Sequence, residues 1–153
     1  MAKKTQKDKV EQGMKGESLI TDSLRPHKIW NYKMPNAGYG TPFDKLIIPP
    51  GGGYAIEVKT HVKPTIPYSK ITENERMGLE KFMAQVGKNN AFIIGIWLTD
   101  TVKRAFLIPW YEVGEAVCSG ARGSINMLDF SELQRKGTGW DMSKFKERRK
   151  IDE

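Results

Sequence analysis

The apolar run AFIIGIWL, residues 91–98, constrains the fold more strongly than any other part of the sequence. It is far shorter than the ~20 residues that a membrane-spanning helix needs. It also lacks the alternation of polar and apolar residues that marks a strand with one face in water. A continuous apolar run of this length is typical of a central strand covered on both faces. We therefore expect an α/β fold with helices on both sides of a sheet.

The segments around this run predict the order α-β-β-β-α-β-β-α. A helix that begins at Thr72 is indicated by a capping box, in which Thr72 is the N-cap and Glu75 follows three residues later. Three strands that precede such a helix, with two more after it, predict a mixed central β-sheet flanked by helices. The predicted elements are a helix at 16–26, strands at 27–34, 43–48 and 54–60, a helix at 72–87, strands at 91–98 and 104–109, a helix from about 110, and a closing helix over 140–150.

Charge and length predict one domain with basic ends. The chain has 153 residues and a formal net charge of +7, and both termini are rich in lysine and arginine. We expect a flexible basic arm over residues 1–15, a single domain over 16–143, and a charged tail over 144–153. Basic ends often bind a polyanion, because each neutralised phosphate releases counterions. Solvated tails that only aid solubility would have the same composition.

Several classes of protein are disfavoured by the sequence. The single cysteine, Cys118, cannot form an intramolecular disulfide, and we expect it to be a small buried residue. The start MAKKTQKDK has no apolar segment behind it, so we expect no secretory signal, a cytoplasmic location and no membrane partner. His27 and His61 lack the spacing of metal ligands.

The segment TPFDKLIIPPGGGYAIEVKT, residues 41–60, contains the clearest candidate site. Side chains alternate along a strand, so Glu57 and Lys59 share one face while the apolar residues between and before them take the other. A hairpin that turns at the Pro-Pro-Gly-Gly-Gly stretch folds Asp44 back alongside Glu57. The sequence therefore predicts two carboxylates that converge beside one ammonium.

This trio of groups suits the hydrolysis of a phosphodiester. Carboxylate oxygens are the ligands that Mg²⁺ prefers, and the backbone carbonyl of Val58 offers another oxygen. A bound metal polarises the phosphate and lowers the pKa of a bound water, while Lys59 can orient that water or stabilise developing negative charge. Glu17, on the first predicted helix, is a further candidate that could approach the same site. The alternative is a surface ion pair, since E-x-K triplets are common on amphipathic strands.

Three motifs resemble the PD-(D/E)XK nuclease superfamily, and within it the RecU-type Holliday junction resolvases of Gram-positive bacteria and their phages. TPFD, which ends at Asp44, resembles the threonine-plus-aspartate motif of that family. IEVKT resembles its E-x-K motif at the same spacing. GARGSINMLDFSELQRKGTGWDM resembles its C-terminal ending. The resemblance covers residues 16–142 and implies a restriction-endonuclease-like core of helix, three strands, helix and strand.

The resemblance also implies a function. Such enzymes act as homodimers that make paired nicks in branched DNA with Mg²⁺ or Mn²⁺ and no small-molecule cofactor. Asp44 and Glu57 would then hold the metal and Lys59 would assist the water, with Thr41 and Glu17 as further active-site residues. Two departures stand out. The stretch NYKMPNAGYG is shorter than the basic projection of the family, and ENER replaces its glutamine with Glu75 or Arg76.

Residues that flank the trio are candidates for DNA contact or for solvation of a surface. Trp30, Tyr32 and Tyr39 would suit stacking on unpaired bases, although aromatic side chains in strands are more often part of a core. Two alternatives to a junction resolvase remain: a nuclease with another DNA substrate, restriction-like or flap-cutting, and a catalytically silent DNA-binding protein. The basic and imidazole candidates for phosphate contact are Lys28, Lys33, Lys45, His61, Lys63, Lys70 and Arg76.

Overall fold

A computed structural model describes residues 5–35, 42–49 and 52–146 of the chain. Three α-helices and ten strands, five of them of only two or three residues, make up this part. The helices are α1 (Gln6–Leu24), α2 (Glu73–Val86) and α3 (Trp110–Cys118). The strands are β1 (Trp30–Lys33), β2 (Lys45–Ile48), β3 (Tyr54–His61), β4 (Thr65–Pro67), β5 (Ala91–Leu98), β6 (Lys103–Pro109), β7 (Ser124–Asn126), β8 (Ser131–Glu132), β9 (Arg135–Lys136) and β10 (Gly139–Trp140).

A six-stranded mixed sheet forms the centre of the fold, in the order β1-β2-β3-β5-β6-β8. Strands β3 and β5 pair in parallel, and every other neighbouring pair in this sheet is antiparallel. The parallel pair requires a crossover, which α2 supplies between the two strands. The predicted α/β class, the mixed central sheet and the order of the major elements are confirmed.

Helices cover both faces of this sheet. One face, called the α1 face, carries Tyr54, Ile56 and Val58 of β3 and packs in one core cluster with α1. The opposite face, called the α2 face, carries Ala55 of β3 and Ile93 of β5 and packs in a second cluster with α2 and α3. Strand β5 is buried along almost its whole length. The apolar run 91–98 is therefore the predicted central strand between two helical layers.

Helix α2 begins as the sequence predicts. The Glu75 backbone N–H donates to Thr72 Oγ1 at 3.2 Å, and the Thr72 backbone N–H donates to Glu75 Oε1 at 2.9 Å, which completes the capping box. Leu79 is fully buried, and Phe82 and Met83 are partly buried against the α2-face core. Val86 is exposed. It lies in the last turn, where the helix leaves the sheet.

The predicted flexible arm is wrong for residues 6–15, because α1 begins at Gln6. The stretch is rich in lysine, glutamine and glutamate, which are good helix formers. The Gln12 side-chain amide also donates to the carbonyl of Leu98 at 3.1 Å, which ties this part of the helix to the end of β5. Residues 6–15 have no apolar stripe, but they still form a helix because helix-forming residues and the contact with β5 stabilise it. Residues 1–4 lie outside the described part.

The closing helix predicted over 140–150 is wrong where the structure describes it. Trp140 lies in the short strand β10, paired with Arg135 of β9, and a 3-10 turn follows at Ser143–Phe145. The Trp140 backbone N–H donates to Ser23 Oγ of α1 at 3.0 Å, so it is not free for a helical bond. Phe145 is buried in the α1-face core, which therefore includes part of the predicted tail. Residues 147–153 are outside the described ranges.

Two surface properties complete the description. None of the helices in the described ranges is both long and apolar enough to cross a bilayer. Cys118 at the end of α3 is exposed, so the prediction that it is buried is wrong.

Helix α1 crosses β3 at a contact that only a glycine permits. A Cβ atom on Gly16 would lie 2.0 Å from Thr60 Oγ1 and 3.4 Å from Ile96 Cδ1. The Thr60 side chain is β-branched and stiff at χ1. Rotation about its χ1 would therefore replace the hydroxyl by the methyl group in the space that the added Cβ needs. This close approach sets the height of α1 above the sheet and therefore the position of the neighbouring Glu17.

We expect Gly16→Ala to lower the free energy of unfolding by about 1–3 kcal/mol, because the added methyl group overpacks the contact with Thr60. Gly13→Ala, three residues earlier in the same helix, is the matched control. Nothing lies within 4 Å of a Cβ at that position. The control should gain about 0.5–1 kcal/mol from helix propensity. Urea denaturation of both variants measures the difference, and equal shifts would contradict the close contact.

Candidate active site

Asp44 and Glu57 lie opposite each other across the β2–β3 hairpin. The antiparallel register pairs Lys45 with Ile56, and one further step places Asp44 opposite Glu57. The backbone N–H of Val58 donates to Asp44 Oδ2 at 2.7 Å. A proton on Glu57 can be donated in a hydrogen bond to Asp44, which lowers the pKa of Asp44 and raises that of Glu57. The structure thus brings together on the α2 face the two acidic side chains that the sequence places on adjoining strands.

The chain before β2 is held from two sides, which fixes the position of Asp44. A Cβ atom on Gly78 of α2 would lie 2.4 Å from both the Cβ and the carbonyl oxygen of Pro42, so α2 rests directly on this segment. On the other side, the backbone N–H of Met34 donates to the carbonyl of Asp44 at 3.0 Å. The backbone at Asp44 is therefore held in place on both sides, although this residue lies just outside the regular strand.

Glu57 is a buried carboxyl whose hydrogen-bonding capacity is only partly satisfied. Its exposed fraction is 1%, and its Oε2 has no hydrogen-bond partner among the described residues. Burial, followed by the negative charges of Asp44 and Glu75, raises the pKa of Glu57 well above its ordinary value; Lys59 opposes this only in part. A buried acceptor without a partner is costly, so this oxygen needs a proton or a cation.

Asp44 is perturbed in the same direction. Burial raises its pKa to about 6, and the neighbouring Glu17 adds to the rise by its charge and by a hydrogen bond. Hydrogen bonds from Glu57 and from the Val58 backbone act in the opposite direction. Two adjoining carboxyls that both resist ionisation form a site where a divalent cation would be stabilised by the charge it neutralises.

Lys59 lies beside Glu57 and is held there by Glu75. Its Nζ is 2.8 Å from Glu75 Oε1 and 3.6 Å from Glu57 Oε1. Burial alone would lower the pKa of the Lys59 ammonium, but the charges of Glu57 and Glu75 and the hydrogen bond to Glu75 outweigh it and raise the pKa. Lys59 therefore carries a fixed positive charge at the edge of the acidic pair. The capping-box oxygen of Glu75 is the same atom that holds this ammonium.

Glu17 reaches the site from α1. It shares a hydrogen bond with Asp44, and its Oε2 is 3.5 Å from Lys33 Nζ of β1. The sequence placed this residue on the first helix without fixing its direction, and the structure points it toward the acidic pair. Thr41, the other additional candidate, lies outside the described residues.

The acidic pair fits a hard divalent cation by the chemistry of its donors. Asp44 and Glu57 supply carboxylate oxygens, one of them unpartnered, and the backbone carbonyl of Val58 stays a predicted further ligand. No cluster of three or more His, Cys, Asp or Glu side chains arranged to bind a metal is found within the ranges that the structure describes. Mg²⁺ typically takes only one or two carboxylates and fills its other positions with water and phosphate. The donor set therefore suits Mg²⁺ or Mn²⁺ better than a cation that needs an all-protein cage.

Two of the candidate phosphate contacts are engaged with other groups of the chain, Lys45 in the interior and Arg76 in a half-buried position on α2. Lys45 is only 5% exposed, its Nζ donates to Asn31 Oδ1 at 3.0 Å, and burial lowers its pKa. Arg76 donates to the backbone carbonyls of Ile71 and Tyr68, both at 2.8 Å, and so braces the chain before α2. The structure thus contradicts a surface contact for Lys45 and gives Arg76 a structural role. The candidates that remain at the surface are Lys28, Lys33, Lys63 and Lys70, with His61 half-buried.

A groove of about 440 Å³ opens next to Lys59. Burial, together with the nearby charges of Lys59 and Lys70, lowers the pKa of His61 in its wall, so this imidazole is neutral at physiological pH. A larger cavity between α2 and α3 includes Cys118 but lies away from the acidic pair. The groove beside Lys59 is lined by Gln12, Gly13, Val58, Lys59, Thr60, His61, Val62 and Lys70.

Known proteins offer limited comparison. No protein-family model and no curated protein matches the chain. Among solved structures the chain is similar to Hjc of Archaeoglobus fulgidus, described as a Holliday junction resolvase from an archaeal hyperthermophile. The identity is 18%, the alignment covers 62% of this chain and 71% of that chain, and the TM-score is 0.45. Similarity at this level leaves the function to be argued from the residues of this chain.

We expect the metal-free protein to lose stability as pH rises through about 6. The pKa of Asp44 is higher in the folded state than its ordinary value of 3.8, so the folded state binds more protons between these values. The free energy of unfolding should therefore fall as pH rises from about 4 to about 7. Asp44→Asn removes the cost of ionising a carboxyl shielded from water. The free energy of unfolding of this variant should therefore exceed that of the wild type by about 1–3 kcal/mol at pH 7.5 in a chelator.

Chemical denaturation at pH 5 and pH 7.5 measures this effect. Asp100→Asn, which changes an exposed carboxyl between β5 and β6, is the matched control and should leave the pH dependence of stability unchanged. An Asp44→Asn protein whose stability falls as steeply with pH as that of the wild type would show that Asp44 does not titrate in this window.

Proposed function

We propose that this protein is a divalent-metal-dependent endodeoxyribonuclease whose active site is Asp44, Glu57 and Lys59. The observation that supports this most directly is the carboxyl pair of buried Glu57 and half-buried Asp44, with an unpartnered Glu57 oxygen and the Lys59 ammonium 3.6 Å from Glu57. A binding protein gains nothing from clustered carboxylates that face phosphate, since they repel it. A metal-dependent hydrolase needs both the carboxylates and the ammonium, because the carboxylates hold the cation and the ammonium neutralises charge on the phosphate.

Each residue has a distinct role in this proposal. Asp44 and Glu57 would hold Mg²⁺ or Mn²⁺, with the Val58 carbonyl as a further oxygen ligand. When bound, the cation polarises the scissile phosphate and lowers the pKa of a bound water. Lys59 stays protonated, so it orients the attacking water through a hydrogen bond or stabilises charge on the phosphate, and does not act as a general base. Glu75 positions the Lys59 ammonium.

The groove beside Lys59 is the path that we propose for the DNA backbone. Lys70 and Lys59 line it, and exposed Lys63 lies next to the lining residue Val62. A phosphate in this groove would meet positive charge on its way to the acidic pair. Phosphate contacts of this kind position a substrate without selecting its sequence.

Branched DNA is the substrate that we propose within this activity. The support is the resemblance of the threonine-aspartate, E-x-K and C-terminal motifs to RecU-type resolvases, which also implies a homodimer and a role in recombination, repair or phage DNA processing. The short NYKMPNAGYG stretch favours the alternative that the same site cuts another DNA structure, such as a flap or a linear duplex. Residues 36–40 of this stretch lie outside the described ranges.

We expect Glu57→Gln and Asp44→Asn each to reduce metal-dependent cleavage by at least about 100- to 1,000-fold, because each removes a ligand charge. DNA binding should be retained or strengthened, since a negative charge facing phosphate is lost. Single-turnover cleavage of a labelled four-way junction with Mg²⁺ and fluorescence anisotropy without it measure the two effects.

Glu132→Gln is the matched control for this pair of variants. Glu132 is a surface carboxyl on β8, bound to Arg104 at 2.6 Å and remote in the sheet order from β2 and β3. Its loss should leave cleavage within about twofold of the wild type, because exposed ion pairs contribute little. Retained cutting by both active-site variants would overturn the site.

A substrate panel separates the proposed junction activity from the alternatives. We expect cleavage of a four-way junction to exceed that of a flap and of a linear duplex of the same sequence by at least about tenfold. The products should be symmetric nicks if two copies act together. Preferential cutting of linear duplex at a fixed sequence would replace the junction assignment with a restriction-like one. Absence of cleavage with both Mg²⁺ and Mn²⁺ would favour a catalytically silent DNA-binding protein.

A further inference from the structure

Strand β1 presents two aromatic rings to solvent. Trp30 is 62% exposed and Tyr32 is 49% exposed, so the expectation that strand aromatics belong to a core is wrong here. Their ring centroids are 6.4 Å apart, and the ring planes lie within 18° of parallel. Burying an aromatic side chain is strongly favourable, so a pair left in water is an unusual surface feature.

The two rings lie on the same face of the sheet as the acidic pair. Tyr32 pairs with Leu46 across the β1–β2 ladder, and Leu46 pairs in turn with Ala55 of β3. Side chains of cross-strand partners point to the same side. Ala55 and Leu46 pack on the α2-face core, and Glu57, two residues after Ala55, shares that side. Trp30, two residues before Tyr32, therefore also projects from the α2 face.

The spacing along β2 places the rings close to the active site. Tyr32 lies opposite Leu46, two residues from Asp44, and Trp30 lies opposite Ile48, four residues from it. At about 3.3 Å per residue these offsets are roughly 7 and 13 Å along the strand. Stacked bases in one DNA strand are about 3.4 Å apart. A nucleotide a few positions from a phosphate at Asp44 can therefore reach the rings.

This part of the α2 face is not covered by the helix above it. Leu46 is partly buried against the α2-face core, but Ile48 beside Trp30 is 37% exposed. Strand β1 is the outer strand of the six-stranded sheet in the described structure. The rings thus form an open apolar platform, defined here as Trp30, Tyr32 and Ile48, that continues the surface of the active site outward.

Positive charge flanks the platform at both ends of β1. Lys33, one residue after Tyr32, is exposed and projects from the α1 face, where its Nζ lies 3.5 Å from Glu17 Oε2. Lys28 at the outer end is exposed and adopts a left-handed backbone conformation with φ of 54°. Non-glycine residues adopt this conformation infrequently. Two exposed lysines therefore lie along the same sheet edge as the platform, before and after its rings in the chain, and their charge attracts a polyanion to this edge.

We propose that the platform of Trp30, Tyr32 and Ile48 stacks on unpaired nucleobases of the DNA strand whose phosphate occupies the active site. The inference rests on the proposed function for the nature of the ligand and goes beyond it by naming the surface that recognises unpaired bases. Stacking on aromatic rings is tolerant of sequence, because every base has a π-face. Selectivity for branched over fully paired DNA would follow, because only opened bases can reach the rings.

A second copy of this chain is the other candidate occupant, and the charges disfavour it. Pairing of β1 with its counterpart would bring Lys28 and Lys33 of both copies together at the same interface. Like charges placed opposite each other are destabilising. A nucleic acid strand instead brings phosphate charges that attract these lysines.

The test compares DNA binding by the Trp30→Ala/Tyr32→Ala double variant with that of the wild-type protein, in a chelator so that no strand is cut. The probes are two 2-aminopurine-labelled DNAs of matched sequence, a duplex with a two-nucleotide bulge and a fully paired duplex. The double variant should bind the bulged DNA about 5- to 150-fold more weakly and quench its 2-aminopurine less. Affinity for the paired duplex should change by less than about twofold.

Two controls accompany this variant. Trp30→Phe/Tyr32→Phe retains flat rings and should restore most of the affinity for the bulge. Tyr111→Ala removes an exposed aromatic side chain from α3 and should have no effect on either DNA. The melting temperature of each variant shows whether it is folded, and the single variants Trp30→Ala and Tyr32→Ala replace the double variant if it is not.

The outcomes separate this inference from the proposed function. Equal affinity of wild type and double variant for the bulge would overturn the platform and leave the nuclease untouched. Loss of affinity for bulged and paired DNA alike would also overturn it, as would a change from dimer to monomer in sedimentation, which would identify the platform as a protein interface. Wild-type protein that quenches the bulge but cleaves no DNA with Mg²⁺ or Mn²⁺ would support the platform and overturn the nuclease.

Discussion

The antiparallel pairing of β2 with β3 is the constraint on which the site depends. Its register places Asp44 opposite Glu57, and the 2.7 Å bond from the Val58 backbone N–H to Asp44 holds the acidic side chain in that position. A register shift of one residue would move Glu57 and Lys59 to the α1 face, where apolar side chains leave no room for them. The same hydrophobic alternation that builds the core therefore also fixes the chemistry.

The fold and the central trio could be predicted because both depend on local patterns. The run 91–98, the capping box at Thr72 and the alternation around Glu57 are each visible in a few neighbouring residues. The position of Lys45 depends on an asparagine side chain of the neighbouring strand, and that of Arg76 on two carbonyls of the loop before α2; residue type and charge alone do not reveal such partners. The early start of α1 was missed because its anchor, the Gln12 bond to Leu98, spans 86 residues.

The acidic pair and the exposed rings are two parts of one continuous surface. Helix α2 covers the sheet as far as Leu46 and leaves the β1 edge open, so the buried carboxyls and the open platform share a face without a barrier between them. Burial perturbs the acids, and exposure makes the rings accessible. The outer edge of the helical layer separates these two environments.

Glu75 links the folding of α2 to the position of Lys59. One oxygen atom of this side chain accepts both the Thr72 backbone N–H and the Lys59 ammonium. Fraying of the first turn of the helix would release the ammonium, and displacement of the ammonium would weaken the cap. Substitution at this position is consequently limited to side chains that serve both partners at once, so evolution cannot adjust the helix start and the reactive lysine independently.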